Sequence, residues 1–289
     1  MPPEQLGLHD DSGNELHPHR RPSRGMYVLP SLFTAGNIAL GYYAMTQSIQ
    51  GSVTEPVYFD HAAMAIGVAA LLDGVDGFIA RVTHTASDFG HELDSLADVI
   101  TFGVAPSLLA YIWGFRMLPL SHYPGLRENV LHAGVFVCFL FLICGASRLA
   151  RFNIGTNLQP RNPGKPGHKL FVGMPIPAGA GIIAAVVHFF KGSPVDNPWV
   201  ALIWLLLLLF TGFLMVSSWR FWSAKEVTSG DRHPARFFTL IAVIFSLIAW
   251  NSEWALMIIA FGYLISGVFA RLAYSWGRRR RHSQQPGPA

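Results

Sequence analysis

The sequence has few charged residues for its length. Only 13% of its 289 residues are Asp, Glu, Lys or Arg, whereas 51% are hydrophobic, and its mean hydropathy is +0.35. Soluble domains carry about 25% charged residues, so too few charges are present to cover a surface exposed to water. The composition argues against a soluble helical protein and favours a protein embedded in a membrane.

Cysteine is also scarce. The two cysteines, Cys138 and Cys144, lie in one apolar stretch, and no Cys or His spacing typical of a zinc site accompanies them. We expect both to be buried free thiols. The sequence pI of about 9.2 requires no nucleic-acid partner, because basic residues beside a membrane also attract anionic lipid headgroups.

The apolar residues form long runs with short polar connections. A membrane-spanning helix needs about 20 mainly apolar residues. Such stretches occur at 27–49, 62–82, 95–118, 129–147, 170–190, 198–217, 237–250 and 253–274. They predict an all-α, polytopic bundle of about eight transmembrane helices.

The tails differ from this apolar part. Residues 1–25 are polar and rich in His, Arg and Pro, without the apolar core and cleavage site of a signal peptide. Residues 276–289 are basic and rich in polar residues. We therefore expect a cytoplasmic tail at 1–25, a membrane-embedded domain at 26–275 and a disordered tail at 276–289.

The distribution of basic residues supports this topology. If the N-terminus is cytoplasmic, 18 of the 21 Lys and Arg residues fall on the cytoplasmic side, and the other three are Arg116, Arg127 and Lys191. Lys and Arg concentrate in the cytoplasmic loops of membrane proteins. The asymmetry predicts an even number of spans, with both termini in the cytoplasm.

Four aspartates lie within or directly beside the second and third apolar stretches. Asp73 and Asp76 are three residues apart, and Asp94 and Asp98 are four apart. At 3.6 residues per turn, each pair lies on one face of a helix. Two antiparallel helices would bring the four carboxylates together. Ionisable residues within membrane spans are costly and usually functional, so we expect a site here.

Converging carboxylates repel one another unless some are protonated or cations neutralise them. Oxygen ligands favour hard cations such as Mg²⁺, Mn²⁺ or Ca²⁺. Gly74 and Gly77 each follow an aspartate inside a helical run. A missing side chain allows close approach, either of a neighbouring helix or of a flat ligand such as a nucleotide. The acidic face beside Gly77 favours the ligand.

The residues from Asp73 to Asp98 follow the pattern D-x2-D-G-x2-A-R-x8-G-x3-D-x3-D. This pattern resembles the defining motif of the CDP-alcohol phosphotransferase family. The stretches PSLFTAGN at 30–37, SRLARFN at 147–153 and GMPIPAGAG at 173–181 are similar to the prokaryotic members that make phosphatidylserine. Ser31 departs from these relatives, which usually have Asn at that position.

The resemblance implies a membrane enzyme with a six-helix core and additional spans. Such an enzyme transfers the phosphatidyl group of CDP-diacylglycerol to an alcohol, here L-serine, and releases CMP. Its site opens to the cytoplasm, and relatives suggest a homodimer in a bacterial inner or plasma membrane. The positions that resemble the family's metal ligands are Asp73, Asp76 and Asp94. By the same resemblance, Asp98 either shares in metal binding or acts as the base. The implied cofactor is a pair of Mg²⁺ or Mn²⁺ ions.

Several further residues are candidates for substrate binding. Arginine suits bidentate recognition of phosphate or carboxylate, although arginines at span ends also contact headgroups. Thr34 and Asn37 either contact the nucleotide or pack between helices. The complete set is Gly74, Gly77, Arg81, Gly90, Thr34, Asn37, Arg148 and Arg151.

Two alternatives stay open from the sequence. Glycerol 3-phosphate or inositol phosphate could be the acceptor, although their additional phosphate would need a denser basic pocket. A cation or proton transporter could use the aspartates as a relay. A transporter, however, is expected to have polar groups across several spans or broken helices in two related halves.

Overall fold

The fold is seen in a computed structural model, which describes residues 24–83, 88–120, 124–155, 171–221 and 250–282. These ranges contain α-helices, two π-helical segments and one very short strand pair. In chain order the helices are α1 (Arg24–Gln50), α2 (Val57–Thr83), α3 (Asp88–Asp98), a π-helix (Val99–Val104), α4 (Ala105–Tyr111), a second π-helix (Ile112–Arg116), α5 (Pro124–Gly155), α6 (Ile176–Phe189), α7 (Pro198–Val216) and α8 (Ser252–His282).

The all-α prediction is confirmed. Within the described ranges, four stretches are long and apolar enough to cross a membrane: Val57–Val75, Phe89–Arg116, Gly125–Ile154 and Pro198–Val216. Two shorter apolar helices, Ile176–Phe189 and Ser252–Val268, accompany them. The predicted number of eight spans stays a prediction, because α1 does not meet the same criterion and residues 237–249 lie outside the described ranges.

The predicted span at 170–190 begins later than the sequence indicated. Phe171–Val172 (β1) forms a two-residue antiparallel pair with Arg220–Phe221 (β2), and α6 starts only at Ile176. Gly173 has a φ of +81° and donates its N–H to Trp219 O at 2.9 Å. A positive φ excludes helix and favours glycine, so the chain turns before Pro175 and leaves a helix of 14 residues.

The helices pack around a continuous apolar core. The main helix pairs are α1 with α2, α2 with α6, α5 with α7, and α8 with α6. The rings of Trp113 and Trp204 lie edge to face with their centroids 5.0 Å apart, and each indole N–H donates to a backbone carbonyl.

The two cysteines lie in this fold as free thiols. Cys138 is buried and Cys144 is half-buried. The predicted burial is confirmed for Cys138, and the prediction of a free thiol holds for both.

Candidate metal and substrate site

Three of the four predicted aspartates lie together. Asp73 comes from α2, and Asp94 and Asp98 come from α3. One carboxylate oxygen from each lies within 4.8 Å of the others. Asp76 is part of α2, but its side chain lies outside the described part of the chain. The spacing of the sequence explains this convergence, because each helix carries its acidic residues on one face.

Asp98 occupies the most enclosed position of this group. The residue is only 9% exposed, and its Oδ1 has no hydrogen-bond partner among the described residues. A buried polar atom without a partner is costly and requires an explanation such as an ion. Three convergent carboxylates, one with a spare oxygen, offer the hard oxygen ligands that divalent cations prefer. The residues present therefore fit a divalent cation.

The helix backbone changes geometry directly after Asp98. Residues Val99–Val104 are π-helical, and Thr101 Oγ1 donates to Asn37 O on α1 at 3.0 Å. A Cβ at Gly41 would lie 2.6 Å from Thr101 Oγ1, so only glycine permits this approach of α1. π-Helical turns are frequent at functional sites. Here the π-helix and the C-terminal end of α3 both pack against α1.

Helix α1 contributes two of the predicted substrate residues to this interior. Thr34 and Asn37 are 4% and 2% exposed. Asn37 Oδ1 has no hydrogen-bond partner within the described ranges. The packing of α1 against α3 and the π-helix agrees with the packing interpretation of these residues. The spare amide oxygen of Asn37 is also compatible with a ligand.

The two arginines of α5, which the sequence analysis grouped as anion-binding candidates, have different surroundings in the structure. Arg148 is 8% exposed, lies with its guanidinium carbon 5.2 Å from the centre of the Phe152 ring, and interacts electrostatically with Asp98. Arg151 is exposed, and its Nη1 donates to Val216 O at the end of α7, at 3.1 Å. Arg148 thus belongs to the acidic site, whereas Arg151 joins two helix ends.

The predicted glycines have different surroundings. A Cβ at Gly74 would meet no atom of the described residues within 4 Å. Among the described residues, close helix packing at Gly74 is therefore not observed. Gly90 is half-buried in the first turn of α3. Gly77 and Arg81 are part of α2, but their surroundings lie outside the described part of the chain.

Sequence reasoning missed three residues near the site. Asn153 Nδ2 donates to Ser95 Oγ at 2.8 Å, and Ser95 Oγ donates to His91 O at 3.0 Å. Ser95 lies between Asp94 and Asp98 on α3, so this chain of bonds connects α5 to the acidic helix. Tyr263 of α8 interacts electrostatically with Arg148. Asn153 stands in the quoted SRLARFN stretch, but nothing in the sequence pattern pointed to Tyr263.

A match to a protein-family model identifies the family of this chain. The model described as CDP-alcohol phosphatidyltransferase matches residues 27–207, which include all the aspartates of the site. The chain belongs to this family. The family is one of transferases, the acidic cluster lies within the matched residues, and the transporter alternative is set aside.

Curated relatives match this chain over most of their own lengths. A Helicobacter pylori protein named CDP-diacylglycerol–serine O-phosphatidyltransferase is 36% identical over 253 residues, covering 86% of this chain and 92% of the relative. Proteins of the same name from Mycobacterium tuberculosis and Bacillus subtilis are 30% and 33% identical, covering 90% and 73% of this chain and 83% and 99% of the relatives. The family member described here is therefore an enzyme of the membrane.

Proposed function

We propose that this enzyme transfers the phosphatidyl group of CDP-diacylglycerol to the hydroxyl of L-serine, giving phosphatidylserine and CMP. The observation that carries the proposal is the convergence of Asp73, Asp94 and Asp98 with a buried, unpartnered oxygen on Asp98. The donor is a diphosphate ester, and a site that receives it must neutralise its negative charge. Carboxylates can do so only together with cations.

The cation-binding residues are Asp73, Asp94 and Asp98, with Asp76 added by the family motif. Two Mg²⁺ or Mn²⁺ ions held by these carboxylates would screen the diphosphate and stabilise the charge that develops on the CMP leaving group. The chain's own contribution is to hold its oxygen ligands on two packed helices. Gly74 directly follows Asp73, and the open space around it is compatible with close approach of the nucleotide.

Asp98 is the proposed general base. A serine hydroxyl must lose its proton as its oxygen attacks phosphorus, and a carboxylate within hydrogen-bond reach can accept it. Asp98 has two carboxylate oxygens, so one can bind a cation while the other accepts the proton. The oxygen–phosphorus bond to serine forms as the bond to the CMP oxygen breaks, and the proton passes to Asp98. Arg148, which interacts electrostatically with Asp98, is placed to bind the serine carboxylate or a phosphate.

The choice of serine rests on the three relatives described above, whose names all specify serine as the acceptor. Glycerol 3-phosphate and inositol phosphate would each bring an additional phosphate. Within the described residues around the cluster, Arg148 is the buried basic side chain, which suits an acceptor with a single carboxylate. The proposal includes a cytoplasmic site, cytoplasmic termini, a bacterial inner or plasma membrane and a homodimer, as the family resemblance implies.

The test is CMP release by the purified protein in detergent. The substrates are CDP-diacylglycerol with Mg²⁺ or Mn²⁺ and, separately, serine, glycerol 3-phosphate and inositol phosphate. We expect serine-dependent release that chelation abolishes and added Mn²⁺ or Mg²⁺ restores. Asp98→Asn should lower kcat by about a hundredfold or more, the range for loss of a general base.

Asp196→Asn is the matched control. Asp196 is exposed in the loop before α7, so the same chemical change there should leave kcat unchanged. Release with glycerol 3-phosphate and not serine would retain the chemistry and correct the acceptor. Serine-dependent release that survives both chelation and Asp98→Asn would contradict the metal and base assignments.

A further inference from the structure

A second group of reactive side chains joins the ends of three helices. Asp60 lies in the first turn of α2, His188 in the last turn of α6, and Ser252 is the first residue of α8. His188 Nδ1 lies 2.6 Å from Asp60 Oδ1, and His188 Nε2 lies 2.9 Å from Ser252 Oγ. The imidazole therefore bridges a carboxylate and a hydroxyl.

The order of these contacts matters chemically. The carboxylate on Nδ1 favours the tautomer with its proton on Nδ1, because a carboxylate accepts and cannot donate. Nε2 is then free to accept the proton of the serine hydroxyl. Carboxylate, Nδ1, Nε2 and hydroxyl in this sequence form the geometry by which a Ser–His–Asp triad is recognised on any fold. His188 is 6% exposed, which protects the hydrogen bonds from competing water.

This group is separate from the phosphatidyl-transfer site. Asp60 and Asp73 lie on the same helix, thirteen residues apart, which is about 20 Å at the rise of an α-helix. The two groups thus lie towards opposite ends of α2. None of the three residues belongs to the transferase motif. Nearby, Lys191 Nζ pairs with Glu253 Oε1 at 3.0 Å. Lys191 therefore does not compete with His188 for the carboxylate of Asp60.

The start of α8 also offers hydrogen-bond donors. The first N–H groups of a helix have no partner within the helix. At this end, the Trp254 N–H donates to Asn251 Oδ1 and the Ala255 N–H to Asn251 O. Of the N–H groups in this first turn, those of Ser252 and Glu253 are the closest to Ser252 Oγ along the chain. Preorganised N–H groups of this kind stabilise the oxyanion formed during acyl transfer.

We propose that Asp60, His188 and Ser252 form a second reactive site, in which Ser252 Oγ is a nucleophile towards carboxylic esters at the membrane surface. Ser252 Oγ bonds to the ester carbonyl carbon while its proton moves to His188 Nε2. The ester C–O bond then breaks, and the alcohol leaves with that proton. Water attacks the acyl group, gives a proton to Nε2 and releases the acid, and the proton returns to Ser252 Oγ.

The test uses a fluorophosphonate probe on the full-length protein in detergent, with tandem mass spectrometry to locate the modified residue. We expect covalent labelling of Ser252. Its rate should fall at least about a hundredfold in His188→Gln, because the general base is lost, and also fall in Asp60→Asn. Ser252→Ala should abolish labelling and retain phosphatidyl transfer, since Ser252 lies outside that machinery. Ser193, exposed at the same end of the molecule, reports the background reactivity of an ordinary serine.

Two results would overturn the proposal, and both separate it from failure of the transferase assignment. One is wild-type protein that transfers phosphatidyl groups normally while Ser252 is labelled no faster than Ser193. The other is equal labelling of Ser252 in wild-type protein and in His188→Gln. In either case the three residues would only join the helix ends. Because the first comparison needs wild-type protein alone, a variant that fails to fold cannot prevent the decision.

Discussion

Asn153 of α5 donates from Nδ2 to Ser95 Oγ on α3 at 2.8 Å. Ser95 follows Asp94 directly, so this bond holds the acidic helix against the end of α5. A partly buried hydrogen bond contributes about 0.5–1.5 kcal/mol. Asn153→Ala should therefore lower kcat/KM for CMP release by about two- to tenfold, because Asp94 is less firmly positioned.

Asn197→Ala is the matched control for this prediction. Asn197 accepts the Trp199 N–H at 2.9 Å and caps α7, and loss of such a cap costs about 1 kcal/mol. The control should lose similar stability, measured by thermal unfolding in detergent, while retaining kcat/KM. If both variants lose activity in proportion to stability, Asn153 has no positioning role.

Local spacing predicted the parts of the site that depend on one helix. The separations of Asp73 from Asp76 and of Asp94 from Asp98 place each pair on one helical face, and three of these residues do converge. The Asn153–Ser95 bond joins residues 58 positions apart, and no periodic pattern specifies such a contact. The start of α6 was misjudged because hydropathy continues through 170–175, whereas the positive φ of Gly173 is a property of the backbone.

The open space at Gly74 leads to a prediction about substrate affinity. Alanine is favoured over glycine in a helix interior by about 1 kcal/mol, and a Cβ at Gly74 would meet no described atom within 4 Å. Gly74→Ala should therefore maintain or raise the unfolding temperature. If the nucleotide occupies this space, KM for CDP-diacylglycerol should rise about tenfold, equivalent to about 1.4 kcal/mol.

Gly67→Ala provides the comparison on the same helix. A Cβ at Gly67 also meets no atom within 4 Å, but Gly67 lies about two turns of α2 before Gly74. We expect the same effect on stability and no change in KM. An unchanged KM in Gly74→Ala would remove this glycine from the substrate site.

The contact of Gly41 with Thr101 should be sensitive to a single methyl group. A Cβ at Gly41 would lie 2.6 Å from Thr101 Oγ1 and 2.9 Å from Thr101 Cα. Because backbone must move to relieve the second contact, Gly41→Ala should destabilise the protein by about 1–3 kcal/mol. It should also lower kcat, since the displaced π-helix follows Asp98 directly. Thermal unfolding and CMP release measure the two effects.

Gly36→Ala, on the same helix, tests whether the effect is local. There a Cβ would approach Leu72 Cδ2 at 3.4 Å, an ordinary contact with a flexible side chain. This variant should be close to wild type in both assays. Tolerance of Gly41→Ala without loss of stability would show that α1 and the π-helix are less tightly apposed than the structure has them.

The two arginines of α5 should differ in the consequences of substitution by lysine. Arg148 is buried beside Phe152 and interacts with Asp98, where the planar guanidinium cannot be replaced by an ammonium. If Arg148 binds the serine carboxylate or a phosphate as proposed, Arg148→Lys should lower kcat/KM by about tenfold or more, the effect of losing a hydrogen bond to a charged group. Arg151→Lys should change kcat/KM less than about threefold, because its exposed side chain makes a single bond to Val216 O that lysine can also donate. Steady-state CMP release, with serine and CDP-diacylglycerol varied in turn, measures both. A larger loss in Arg151→Lys than in Arg148→Lys would reverse the assignment and place the anion site at the end of α7.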